Sequence, residues 1–225
     1  KYCQSRLDKS IVFTTDEKGF IANSDPVIVG YFDGYYPFIY EEDGVCKGLT
    51  RELMENVAGF TGLSLEWHRV ESPEQASKAL VEGTIDVMAY CIHSKEEAGE
   101  NALIKVKEYT SIPMVLVTKR DKEFNAIRTL ATVDYLHEEA ARVTDLGSDT
   151  KLLLFSTQQD CLDAVKNKKA DAALCDGYLA EYQLSAEMRY YDLEIRRVLN
   201  QEHGVSMTVR SEDVQLAEIL NKTLM

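Results

Sequence analysis

The sequence predicts an α/β protein of two lobes, each a mixed sheet flanked by helices, with a hinge between them. Three observations predict it. Short apolar runs rich in β-branched residues alternate with helical patterns along the chain, the order expected of α/β folds. A capped helix followed by a strand occurs twice in the same design, at Ser72 and again 84 residues later at Ser156. An apolar run at Ile112–Val117 leads out of the first copy and a late strand at Val205–Val209 leads back, so the chain crosses twice and a hinge follows.

Taken in order, residues 1–25 form a lead-in, in which Thr14 and Glu17 have capping-box spacing for a short helix ending near Asn23. Asp25-Pro26 breaks it. Val27–Phe32 reads as a buried strand, followed by a loop crowded with aromatics, Asp33-Gly-Tyr-Tyr-Pro-Phe38, and a turn at Glu41–Gly44. Leu49, Leu53, Met54 and Val57 mark one face of a helix that Gly59 and Gly62 end, and Leu63–Val70 alternates as a strand. Ser72-Pro73-Glu74-Gln75 starts a helix that stops at Gly83 and gives way to the strand Ile85–Tyr90. In the second lobe, Ile127–Val133 is a strand, Tyr135–Val143 a helix and Leu152–Phe155 a strand. Ser156-Thr-Gln-Gln159 then caps a helix through Val165, leading to the strand Ala170–Cys175. From capping Ser to strand Asp is 14 residues in the first copy (Ser72 to Asp86) and 15 in the second (Ser156 to Asp171). A helix near 178–188, the strand Val205–Val209 and an amphipathic helix over Asp213–Leu224 complete the chain. The expected division is a linker over 1–25, a first lobe of 26–112 with 200–225, and a second lobe of 113–199.

Composition excludes several classes. With 225 residues, 45% of them hydrophobic, the chain can bury one sizeable core or two small ones. A net charge of −13 argues against nucleic acid and anionic membrane surfaces, which select basic faces. No apolar run approaches the 18 residues of a membrane span. The chain begins at Lys1 without an initiator Met or a signal peptide and reads as a piece of a longer protein. Five cysteines, Cys3, Cys46, Cys91, Cys161 and Cys175, show no metal-ligand spacing, so they read as buried thiols, with a disulfide left open for an oxidising compartment. Lys1 and Tyr2 are not the small apolar residues that would precede a lipidated Cys3.

A set of motifs resembles a known family. Val27-x-Val-Gly30 before Tyr36-Pro-Phe38, Gly44-x-x-x-Gly48, Ala79-Leu80-x-x-Gly83-x-Ile85-Asp86, Tyr109-x-Ser111-x-Pro113, Ala164-Val165 through Ala170-Asp171, and Asp176 follow one another over residues 26–225. In order and spacing they resemble the type II periplasmic binding proteins, in the solute-binding family 3-like branch that includes amino-acid-binding proteins and receptor sensor domains. The resemblance implies the Venus flytrap fold, a small-molecule ligand, an extracytoplasmic location and no covalent chemistry, cofactor or metal. The lead-in resembles the linker before such modules in sensor kinases and cyclases. That favours the ectodomain of a membrane-tethered receptor, with a homodimer as a further expectation for the full-length protein. The alternatives are the binding protein of an ABC transporter for amino acids or amines, and a degenerate cleft that binds nothing.

In open α/β sheets ligands sit at the carboxyl ends of strands. That places Asp33, Tyr35, Tyr36 and Phe38 at the cleft, with Tyr90, His93, Ser94 and Lys95 from the same lobe and Asp134, Tyr135, Asp176 and Tyr178 from the other. The tyrosines and Phe38 are suited to stack on a ligand, although Phe38 and one Tyr read equally well as core. Asp176 matches the family position whose carboxylate holds a ligand ammonium; by itself, an Asp after a strand reads as a helix cap. Amino-acid binders of the family carry Thr-x-x-Arg after the first-lobe strand, but here Ser94-Lys-Glu-Glu97 puts Glu97 where the Arg clamps the ligand carboxylate. A buried carboxylate without its partner costs roughly 3–5 kcal/mol, about a hundredfold or more in affinity. Lys95 supplies charge without the fork of a guanidinium. The family's Gly-Ser or Gly-Thr at the second-lobe helix start is replaced by Val133-Asp134, which disfavours anions. The expected ligand is therefore cationic or polyhydroxylated, not a standard amino acid in the usual pose. A dehydratase on the same fold is the enzyme alternative, with His93 as its acid or base; no G-x-S-x-G, phosphate loop or H-E-x-x-H supports another chemistry.

Overall fold

The structure, a computed structural model, describes residues 11–71, 73–91, 103–141, 143 and 149–224. Cys3, Ser72, His93, Ser94, Lys95 and Glu97 lie outside the described residues. The chain divides into two compact units, Lys1–Thr110 with Val205–Met225, and Ser111–Gly204. It therefore passes between them twice, inside the long strands β7 (Thr110–Lys119) and β11 (Leu193–Arg210).

Unit 1 is built on β1 (Val27–Tyr31), with the parallel strands β4 (Leu65–Arg69) and β5 (Val87–Cys91) on either side. The end of β11 lies antiparallel to β5, and β6 (Leu103–Lys105) lies antiparallel to β11. Parallel strands covered by helices are apolar on both faces, and β1 and β5 fit this: Val27, Val29, Val87, Met88 and Ala89 are all buried. Helix α2 (Leu49–Thr61) buries Met54 and Val57 and ends on Gly62 in the left-handed conformation, φ 86°. Helix α3 (Pro73–Val81) covers Met88 and Ile85 with Ala76 and Leu80. The Glu41–Gly44 turn joins two short strands, β2 (Tyr40–Glu42) and β3 (Val45–Lys47), through Asp43 and Gly44 at φ 55° and 74°. Two consecutive positive φ values match the right-handed twist of a hairpin.

The lead-in helix α1 (Thr15–Asn23) has the capping box its sequence encodes: Glu17 N donates to Thr14 Oγ1 at 3.2 Å and Thr14 N to Glu17 Oε2 at 2.7 Å. The helix packs on α7 (Val214–Thr223), where Lys222 Nζ donates to both Glu17 carboxylate oxygens at 2.6 and 2.7 Å. Glu17 is the buried residue of α1, so a polar contact fixes this helix more than apolar packing does.

Unit 2 places β8 (Thr129–Val133) between the parallel strands β9 (Lys151–Phe155) and β10 (Ala172–Asp176), with β7 antiparallel to β10. Its core joins Val115, Leu116, Leu130, Ala131, Ala173 and Leu174 to Leu162 and Val165 of α5 (Gln158–Lys166) and Ala180 of α6 (Gly177–Ala186). The expected helix over Tyr135–Val143 is a 3-10 turn, Asp134–Leu136, followed by a short helix α4 (His137–Ala141). The first part of β11 extends far beyond the expected strand at Val205–Val209. Ile195, Arg196, Arg197 and Val198 in it are all exposed, so no apolar alternation marks the strand.

The internal repeat has a structural basis, with one correction. The cap of α5 is Thr157, not Ser156, because the Thr157 side chain accepts from Asp160 N. The Asp of each copy then does the same work. Asp86 N donates to Ile28 O at 2.8 Å while its Oδ2 accepts from Ile28 N at 2.9 Å; Asp171 N donates to Thr129 O at 3.0 Å while its Oδ2 accepts from Thr129 N at 3.0 Å. Each clamps the start of the neighbouring parallel strand, and each is neutralised by a cation, Arg210 for Asp86 and Lys122 for Asp171.

Candidate functional site

At the carboxyl ends of β1 and β5, unit 1 gathers aromatic rings. The Tyr35 ring centroid lies 4.9 Å from that of Tyr90 and 6.1 Å from that of Phe32, and Phe38 lies 5.9 Å from Tyr90. Phe38 and Tyr90 are buried, whereas Tyr35 and Tyr36 are partly exposed. Phe38 and Tyr90 thus serve as the packed floor under Tyr35, and Tyr36 turns to Tyr40, 5.1 Å away. Asp33 is exposed and accepts from Glu41 N at 2.7 Å, closing the loop on the β2–β3 hairpin.

Gly48 makes this loop possible. Its φ is 115°, and a Cβ there would lie 2.4 Å from the Phe38 carbonyl oxygen. Only glycine lets the loop lie across the start of α2. There Leu49 N donates to Pro37 O at 3.1 Å and Thr50 N to Phe38 O at 2.8 Å, giving partners to amides that a helix start leaves orphaned. Beside the loop, Glu41 Oε2 accepts from both Tyr31 OH and Arg69 Nη1 at 3.1 Å. This surface triad escaped the sequence reading because its members are far apart in the chain.

Unit 2 gathers its candidates at the carboxyl ends of β8 and β10, which point the same way because the strands are parallel. Asp134 and Tyr135 lie in the 3-10 turn after β8, Asp134 exposed. Asp176 ends β10 and is the N-cap of α6: its Oδ1 accepts from Leu179 N at 3.0 Å. Its backbone is held on both sides by Gln158, whose Oε1 accepts from Asp176 N at 2.8 Å and whose Nε2 donates to Asp176 O at 3.4 Å and to Gln183 Oε1 at 3.3 Å. Gln158 and Gln183 are neighbours of this candidate to which the sequence reading gave no role at the site. Burial pushes the Asp176 carboxyl up to about 6, against the backbone N–H groups of Leu179 and Tyr178 that favour its charged form. Among the described residues no cationic side chain is paired with it. Tyr178, in the first turn of α6, is 42% exposed.

Tyr35, Phe38 and Tyr90 of the candidates are thus packed together in unit 1, Asp134 and Asp176 stand at the ends of neighbouring parallel strands in unit 2, and His93, Ser94 and Lys95 are undescribed. Among the described residues no group of three or more His, Cys, Asp or Glu side chains is placed to hold a metal ion, and Cys46, Cys161 and Cys175 are free and buried. No described helix is long and apolar enough to cross a membrane.

Parallel-stranded units joined by two crossings, with aromatic and acidic residues at their strand ends, define a type II periplasmic-binding, or Venus flytrap, domain. The chain belongs to the bacterial extracellular solute-binding proteins, family 3, whose family model matches residues 27–225. Solved structures agree on the fold. The Bordetella pertussis BvgS periplasmic VFT2 domain is 21% identical and superimposes with a TM-score of 0.83, covering 95% of this chain and 92% of that one. A histidine kinase sensor domain with similarity to periplasmic binding proteins is 19% identical, with a TM-score of 0.74 and 90% of each chain covered. The arginine-bound form of truncated ArgBP from T. maritima is 21% identical, with a TM-score of 0.69, covering 92% of this chain and 97% of that one. No curated protein sequence matches the chain. The family and these neighbours are binding and sensor domains, with an extracytoplasmic setting.

Proposed function

We propose that this chain is the extracytoplasmic sensor domain of a bacterial membrane signalling protein of the histidine kinase or diguanylate cyclase type, and that it binds a cationic small molecule. The observation that carries the ligand class is Asp176: a buried carboxylate with backbone donors but no cationic partner among the described residues. A buried charge is costly until it is paired, and a ligand ammonium or amidinium supplies the missing charge. Tyr178 on the same helix start, and Tyr35 over Tyr90 in unit 1, offer π faces that favour the same class. Asp134 adds a second negative charge at that strand edge of unit 2. The sensor setting is supported by the lead-in helix α1 docked on α7, and by a histidine kinase sensor domain and a periplasmic VFT2 domain among the similar structures.

A ligand that binds one conformation of the protein better than another shifts their balance by its differential affinity, and that shift is the signal. Shifting the balance from 1:99 to 99:1 needs a preference of about 10⁴. The test is thermal shift of the chain against putrescine, spermidine, agmatine, arginine, glutamate and glucose. A ligand bound only to the native state at 100 times its Kd stabilises by about 2.7 kcal/mol. Stabilisation by amines and guanidines supports the proposal; stabilisation by glutamate alone, or by no compound, refutes it.

A further inference from the structure

The aromatic cluster of unit 1 is tied to the point where the chain leaves that unit by a single hydroxyl. Tyr109 is the last residue before β7, one position ahead of the division between the units at Thr110 and Ser111. Its OH lies 2.9 Å from Thr50 Oγ1 and donates to Ala89 O at 3.2 Å. A hydroxyl has one proton, so with that proton on Ala89 O the Thr50 hydroxyl is the donor to Tyr109. Thr50 is fully buried, and its amide donates to Phe38 O at 2.8 Å. Ala89 precedes Tyr90, whose ring touches those of Tyr35 and Phe38. On the backbone side, Tyr109 N donates at 3.0 Å to the carbonyl of Val205, the first residue after the chain returns to unit 1.

We infer that Tyr109 is a positioning residue: its hydroxyl holds the Tyr35–Phe38 loop and the Tyr90 strand end in register with both crossing segments, so that a ligand pressing on these rings acts on the crossings. This rests on reading Tyr35, over the packed floor of Phe38 and Tyr90, as a ligand contact, but its test needs no ligand, so a failed ligand screen and a failed test are separate outcomes. The three parts come together at one oxygen atom. Removing it leaves the apolar body of the ring in place, takes the partner from the buried Thr50 hydroxyl and removes one bond from the Ala89 carbonyl.

The experiment is amide hydrogen exchange by NMR on the wild-type chain and on Tyr109→Phe, Thr50→Val and Thr50→Ser. In Tyr109→Phe and Thr50→Val, amides of Tyr35, Phe38, Ile39, Thr50 and Tyr109 exchange roughly five- to tenfold faster, the effect of losing one hydrogen bond of ordinary strength. Amides of α3 and of β8 and β10 keep their wild-type rates. Thr50→Ser, which keeps the hydroxyl, behaves as wild type. Acceleration confined to Thr50 and Tyr109, or spread evenly over both units as a general loss of stability, overturns the inference. If Tyr109→Phe fails to fold, Thr50→Val decides by the same two patterns.

Discussion

Asp176→Asn is expected to make the protein more stable and less able to bind. The carboxyl rises from 3.8 to about 6 on folding, because burial disfavours its charge. A shift of about two units is worth about 3 kcal/mol. The folded state holds this proton more tightly than the unfolded chain does, so wild-type stability falls as pH rises from about 4 to about 6, and the penalty then stays constant. Asn carries no charge at any of these pH values, and its side-chain oxygen still accepts the Leu179 N–H that caps α6. The variant should therefore exceed wild type by about 3 kcal/mol at pH 8, with the gap closing near pH 4. Urea unfolding of both proteins at the two pH values measures this. The amine that raises the wild-type melting point should no longer do so. A variant less stable than wild type at pH 8, or a gap independent of pH, refutes the reasoning. Either result would mean that the carboxylate is well satisfied in the folded protein and has no need of a ligand cation.

Asp171→Asn should act in the opposite sense. Its carboxyl is held at about 2 because Lys122 and the Arg128 and Thr129 donors outweigh burial. It therefore contributes about 2 kcal/mol above pH 4, lost as pH falls toward 2, and the variant's deficit in urea should shrink over that window. Gly48→Ala forces a side chain into a conformation reserved for glycine and against the Phe38 carbonyl; a cost of about 3 kcal/mol should lower the melting temperature by roughly 6–12 °C. Lys222→Met removes the cation that grips Glu17, and hydrogen exchange across Thr15–Asn23 should accelerate about tenfold or more while β1 and β5 are unaffected.

What was legible in the sequence was local or periodic. The capping box of Thr14 and Glu17 could be read because both partners of each bond lie within one helical turn. The two helix-strand units could be read because their apolar runs and turn residues carry the pattern without help from the rest of the chain. Asp176 was found at the end of its strand, and the structure gives it the cap that its position suggested. The remainder was set by tertiary contact. Tyr109 meets Thr50 across 59 residues and Ala89 across 20, and no spacing rule joins them. Gly48 was legible only as part of the Gly44-x-x-x-Gly48 motif; the Phe38 carbonyl that requires a glycine there comes from ten residues away and no spacing rule shows it. The start of β11 was missed because Ile195, Arg196, Arg197 and Val198 are all exposed, so no apolar alternation runs along it. Gln158 and Gln183 lie on helices where their spacing resembles that of any polar residue, and only burial at Asp176 distinguishes them.

Asp176, at a strand end of unit 2, is proposed to receive the charge of a cationic molecule. NMR titration of the isotope-labelled chain with the most stabilising amine or guanidine tests it most directly. Saturable shifts are expected at the amides of Asp134, Tyr178 and Leu179. Saturation at other residues while these amides stay fixed would overturn the proposal.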